Sequence, residues 1–204
     1  MRALILIDLQ IDFCPGGALE VAEGDLVLPL ANQLMSKFEL VVATQDWHPA
    51  NHGSFAANHP WRKPYQQIQL NGLDQTLWPI HCVQNSFGAR FAPSLQLENI
   101  HKVVQKGTDP DIDSYSGFFD NGKLKSTELH VYLQNKGVTE LYVLGLATDY
   151  CVKFTVLDAL DLGYKTYLVV DACRGVNLQE GDVDRAIETM QTAGAHVTQT
   201  TVIQ

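Results

Sequence analysis

Six apolar runs rich in Val, Ile, Leu and Tyr alternate with four helical patterns, and this alternation constrains the fold more than any other property of the chain. The runs are ALILID (3–8), ELVVATQD (39–46), HKVVQKG (101–107), ELYVLGLA (140–147), YKTYLVVDA (164–172) and the weaker AHVTQT (195–200). Several are continuous rather than alternating, as parallel strands covered on both faces require. The helical patterns occupy 25–38, 126–137, 150–163 and 180–194. Strands that alternate with helices need right-handed crossovers, which predicts a three-layer α/β/α fold around a mostly parallel sheet. Residues 47 to about 99 break the rhythm: they hold all three tryptophans and four of the seven histidines without a strong period. A loop this long in a compact domain tends to be functional, and its aromatic content argues against disorder.

The 204 residues fit one domain, 1–204, large enough to bury a core without disulfides. With 14 basic and 23 acidic residues the formal charge is −9, and no dense Lys/Arg run offers a footprint for nucleic acid or an anionic membrane. A small-molecule partner is expected instead. Asp8 interrupts the first apolar run too early for a secretory signal, and no stretch approaches the roughly 20 apolar residues that span a bilayer. The four cysteines, Cys14, Cys82, Cys151 and Cys173, form no C-x-x-C pair and read as reduced thiols, so a cytoplasmic protein is expected.

Ligands bind outside the carboxyl ends of strands in open parallel sheets. Asp8, Asp46, Lys106 and Cys151 stand at or just beyond four such ends. Asp8 closes an apolar strand, where a carboxylate is costly unless paired. Alone it would serve a neighbouring loop, and Lys106 alone would be a snorkelling strand-end lysine. If they meet, Lys106 keeps Asp8 ionised and Asp8 can accept the thiol proton of Cys151. Cys151 itself reads either as apolar filler or as a nucleophile favoured by unpaired N–H groups at the start of a helix.

Asp46 and His48, two apart on an extended segment, project to one side, and His81 in WPIHC supplies a second imidazole. One carboxylate and two imidazoles suit Zn²⁺ or Fe²⁺. His52 and His59 are spare candidates, although histidines in a polar loop often only plug it. Rival chemistries fit less well. A cysteine phosphatase needs arginine six residues after its nucleophile, where Leu157 stands; a haloacid-type phosphatase needs a second Asp where Gln10 stands; no G-x-G-x-x-G opens the first helix.

The ordered blocks LIDLQIDFCPGGAL, TQDWHPANHGSFA, WPIHCVQNSFGA, QKGTDPDIDSYSGFFD, GLATDYCVKFTVLDA and VVDACRGV resemble the nicotinamidase (pyrazinamidase) family of the isochorismatase-like cysteine hydrolases, from Ile7 to about Val176. The resemblance implies six parallel strands in the order 3-2-1-4-5-6, an acid–lysine–cysteine triad on Asp8, Lys106 and Cys151, and metal ligands on Asp46, His48 and His81, with His52 a candidate for a further place. It also implies a cis peptide between Leu146 and Ala147, an oxyanion hole of the Ala147 and Cys151 N–H groups, and a ring pocket of Phe13, Trp78, Tyr115, Leu146 and Ala147. Tyr150 stands where relatives often carry histidine. The implied activity is hydrolysis of nicotinamide to nicotinate and ammonia, and of pyrazinamide, through a cysteine thioester in NAD salvage. The implied cofactor is one divalent metal ion, Zn²⁺ or Fe²⁺, and the implied assembly a monomer or small homo-oligomer. Another small amide as substrate and a non-catalytic scaffold are the alternatives.

Overall fold

A computed structural model describes residues 1–204. The continuous apolar runs become buried strands: β1 (Arg2–Ile7) is covered from Ala3 onward, and β2 (Val41–Asp46) is buried at every position. A short hairpin of β3 (Gln67–Leu70) and β4 (Leu73–Thr76) precedes β5 (Lys102–Lys106), β6 (Glu140–Leu146), β7 (Lys165–Arg174) and β8 (His196–Thr198). The main sheet is six-stranded in the order β5-β2-β1-β6-β7-β8, and every pairing in it is parallel. With the hairpin set aside, this is the expected order 3-2-1-4-5-6.

The helices are α1 (Val27–Met35), α2 (Leu129–Asn135), α3 (Lys153–Asp161) and α4 (Asp182–Thr192). The chain steps one way from β1 to β2 and the other way from β6 to β7, so right-handed crossovers put α1 and α3 on opposite faces of the sheet. In α4 the buried residues Ala186 and Met190 are four apart, one inward stripe on an otherwise solvated helix. Strand order reverses between β1 and β6, and the loops leaving these two strands form the crevice where such sheets bind ligands.

Two local features depart from the sequence expectations, the hairpin and the start of the helix after β6. The segment 47–99, read as irregular, contains the β3–β4 hairpin, whose turn residues Asn71 and Gly72 have φ of 49° and 83°. That pair suits a tight two-residue hairpin turn, which requires left-handed backbone at both positions. The run at 140–147 becomes β6, which continues through Gly145 to Leu146. Gly145 adopts φ 129°, and a side-chain carbon there would lie 2.7 Å from the Ile7 nitrogen, so close strand approach accounts for the glycine. The next helix does not begin at Cys151: a π-helical turn, Thr148–Val152, carries the cysteine, and α3 starts at Lys153. The Leu146–Ala147 peptide is cis, as the resemblance implies.

Candidate active site

Lys106 ends β5 with its side chain fully buried, and its ammonium is the hub of the site. Nζ lies 2.9 Å from Asp8 Oδ2 and 2.9 Å from Asp46 Oδ1, donates to the Ser114 carbonyl at 3.0 Å, and reaches Cys151 Sγ at 3.4 Å. Asp8 leaves β1 in left-handed backbone, φ 49°, and is fully buried. The Thr44 hydroxyl donates to its Oδ1 at 2.6 Å and accepts the Asp8 N–H at 3.2 Å. Oδ2 is ion-paired to Lys106.

The electrostatics follow from burial and from the one cation. Burial pushes the Cys151 thiol well up, against the pull of Lys106. Burial also raises Asp8, only partly opposed by Lys106. Asp46 is equally buried, but His48 and Lys106 outweigh desolvation and hold it well below the usual carboxylate range. Lys106, desolvated yet facing Asp46 and Asp8, is held well above the usual lysine value.

Beside this group stand Asp46, His48 and His81, all buried, with ligand atoms within 4.8 Å of one another. Asp46 Oδ2 is 3.0 Å from His48 Nε2 and 3.4 Å from His81 Nε2. Each imidazole turns its other nitrogen to a backbone carbonyl: His48 Nδ1 to Gly107 O and His81 Nδ1 to Pro79 O, both at 2.8 Å. A carbonyl only accepts, so each Nδ1 carries a proton, and each ring presents its Nε2 to the carboxylate. One carboxylate and two imidazoles converge here with each ring oriented through its other nitrogen by a backbone carbonyl, and this donor set fits a divalent metal. Gly107 permits the arrangement: it has φ +65°, and a side-chain carbon there would sit 2.7 Å from His48 Nδ1.

His52 is buried, its ring centroid 4.1 Å from that of His48, with Nδ1 2.7 Å from Ser54 Oγ and Nε2 without a partner. With His48 and Asp113 it forms a second donor group, so it lies next to the first set rather than inside it. Burial and the neighbouring His48 push its pKa down to about 4. His59 is apart, bonded to the Gly53 carbonyl at 2.7 Å.

A small pocket opens above Cys151 and the metal-type donors, lined by Phe13, Trp78, Tyr115, Ala147 and Tyr150 among others. Tyr150 meets Trp78 edge-on at 4.8 Å, and Trp78 Nε1 donates to the Tyr115 hydroxyl at 3.1 Å. Leu146 is fully buried and absent from the lining, so the wall at this point is Ala147. No backbone carbonyl accepts from the Ala147 N–H, and Ala147 and Cys151 line the same pocket. Leu19, Asp113 and Val176 complete the lining and escaped the sequence reading, as did Thr44 and Ser114. Only Thr44 carried a usable signal, since it lies two residues before Asp46 on one strand and so shares its face.

A buried thiol backed by a lysine–aspartate pair at the switch point of a doubly wound parallel sheet defines a hydrolase fold of the cysteine type. The chain belongs to the isochorismatase family, whose domain model matches residues 2–202. It is 56% identical over 198 residues to the nicotinamidase of Escherichia coli K12, covering 95% of this chain and 92% of that one. The solved nicotinamidase/pyrazinamidase of Acinetobacter baumannii superposes with a TM-score of 0.97 at 44% identity, covering 100% of this chain and 98% of that one. The pyrazinamidase of Pyrococcus horikoshii, solved in complex with zinc, gives 0.79 at 40% identity, covering 97% and 98%.

Proposed function

We propose that this protein is a nicotinamidase that hydrolyses nicotinamide, and also pyrazinamide, to the ring carboxylate and ammonia through a cysteine thioester. The observation that carries the reading is the position of the Lys106 ammonium, within 3.4 Å of Cys151 Sγ and 2.9 Å of both Asp8 and Asp46. One residue thus joins a nucleophile with its base to a metal-type donor set. The similarity to nicotinamidases over nearly the whole chain supports the same substrate.

Asp46, His48 and His81 would hold one divalent ion, Zn²⁺ or Fe²⁺, with His52 adjacent. When bound, such an ion supplies a Lewis-acidic anchor for the pyridine nitrogen. The remaining chemistry belongs to the chain. Phe13, Trp78, Tyr115 and Tyr150 enclose a flat ring and exclude water from it. Asp8 Oδ2 takes the thiol proton, and Lys106 holds that carboxylate in place while stabilising the thiolate. Sγ attacks the carboxamide carbon, and the Ala147 and Cys151 N–H groups receive the developing oxyanion; losing one such donor typically costs about 10²–10³ in rate. Asp8 passes its proton to the departing ammonia, then takes one from the water that cleaves the thioester to nicotinate. The proposed setting is NAD salvage in the cytoplasm, with the whole chain acting as one hydrolase domain in a monomer or small homo-oligomer; no helix is long and apolar enough to cross a membrane.

Ammonia release from nicotinamide by the parent and by Cys151→Ala tests this directly. Release by the parent alone is expected. Release by both would remove Cys151 as the nucleophile, and release by neither would exclude nicotinamide as the substrate.

A further inference from the structure

We infer that Gln10 is a positioning residue for metal binding, its side-chain amide standing in for the strand that β2 lacks at Asp46. The inference rests on the metal reading of Asp46, His48 and His81 given above.

β1 and β2 pair in register only as far as Leu6 and Ala43. Beyond Ile7 the chain swings into left-handed backbone at Asp8, and the β1 ladder stops while β2 runs on to Asp46. On its other side Asp46 is paired with Lys106, but in a parallel ladder that pairing is completed by neighbours: the Trp47 N–H donates to the Lys106 carbonyl at 2.9 Å. The N–H and C=O of Asp46 itself therefore face the side that β1 has vacated. Both are buried there, where unpaired backbone groups are costly.

Gln10, fully buried, satisfies both. Its Oε1 accepts the Asp46 N–H at 2.7 Å, and its Nε2 donates to the Asp46 carbonyl at 2.8 Å and to the Ala89 carbonyl at 2.9 Å. One acceptor serves one donor, and two donors serve two carbonyls, so only this orientation of the amide works. The base of the side chain is equally fixed: the Ile11 N–H donates to Arg90 O and the Ala92 N–H to Leu9 O, both at 2.9 Å. Gln10 thus ties the backbone of a candidate metal ligand to the segment that follows His81, and so sets the spacing between the carboxylate and the imidazoles.

The test compares the parent with Gln10→Met, which leaves both Asp46 groups unpaired, and Gln10→Glu, which turns oxygen toward two carbonyls. Gln45→Leu is the control: Gln45 also donates to Ala89 O, at 2.9 Å, without touching the backbone of Asp46. Three quantities are read: Zn²⁺ affinity by competition with a chromophoric chelator, metal-free melting temperature, and the metal-free rate of Cys151 alkylation by iodoacetamide. Zn²⁺ affinity is expected to fall about 10–100-fold in both Gln10 variants, the usual cost of losing a group that orients a ligand. Gln45→Leu should bind like the parent, and alkylation should proceed as in the parent throughout. Should Gln10→Met fail to fold, Gln10→Asn keeps the amide one methylene short of its partners and is expected to show the same loss. Unchanged affinity in folded Gln10 variants, or an equal loss in Gln45→Leu, overturns the inference. A parent that binds no Zn²⁺ overturns the metal reading and this inference with it.

Discussion

The Lys106 ammonium faces two carboxylates, a carbonyl and a sulfur with its side chain out of contact with water. Lys106→Met would leave Asp8 and Asp46 buried without their shared counter-charge, a change that costs on the order of 3–5 kcal/mol when one partner of a buried pair is lost. A fall in melting temperature of roughly 10 °C is expected, measured by circular dichroism, with loss of nicotinamide turnover. Lys106→Arg should not restore turnover, because a planar fork cannot reach the same acceptors as a compact ammonium. Asp8 gives a pH prediction. Burial raises its pKa above the ordinary 3.8, and it acts as base only when ionised. Activity should therefore be lost, as pH falls, at a pH above 3.8; a kcat/KM profile flat down to that value would contradict the assignment. Asp8, Asp46, Lys106 and Cys151 were legible as candidates because charged or reactive groups at the ends of apolar strands are costly without a purpose. Ser114 and Leu19 were not, since they act through a carbonyl and a wall contact that pairing across loops creates, and Thr44 was signalled only by sharing a strand face with Asp46.

At the scale of elements, the β3–β4 hairpin matters through Gln75, whose Nε2 donates to Asp113 Oδ2 at 2.9 Å and to the Tyr115 hydroxyl at 3.2 Å. Gly72→Val places a β-branched residue at φ 83°, a conformation that costs L-residues about 1–2 kcal/mol. The expected result is a raised KM for nicotinamide with an unchanged rate of Cys151 alkylation, read by steady-state kinetics beside iodoacetamide labelling. Gly145→Ala tests the sheet instead: it presses a methyl against Ile7, and overpacking of this kind costs about 1–3 kcal/mol, visible as a lower midpoint in urea. Four helices and six sheet strands were legible from period and continuity. The hairpin was obscured because Gln67, Gln69, Asp74 and Gln75 dilute the apolar signal, although Asn71-Gly72 marked its turn. The π-helical turn under Cys151 had no marker, since its residues also suit the first turn of an α-helix.

For the molecule as a whole, the reactive groups all come from the loops and ends of β1, β2, β5 and β6, on both sides of the point where strand order reverses. A resident ion at Asp46, His48 and His81 would stabilise the folded chain by mass action, about 2.7 kcal/mol at a hundred times its Kd. Chelation of the purified protein is thus expected to lower the melting temperature by roughly 5–10 °C and to spare alkylation of Cys151. An unchanged melting curve on removal of bound metal would contradict that linkage. Because one ammonium serves both Asp8 and Asp46, the nucleophilic and metal-type halves of the site are bound into a single epistatic unit. A lineage that gave up either half would relax selection on Lys106 and thereby on the other, so decay of this site should run by blocks, with Asp8 and Asp46 lost together rather than one at a time.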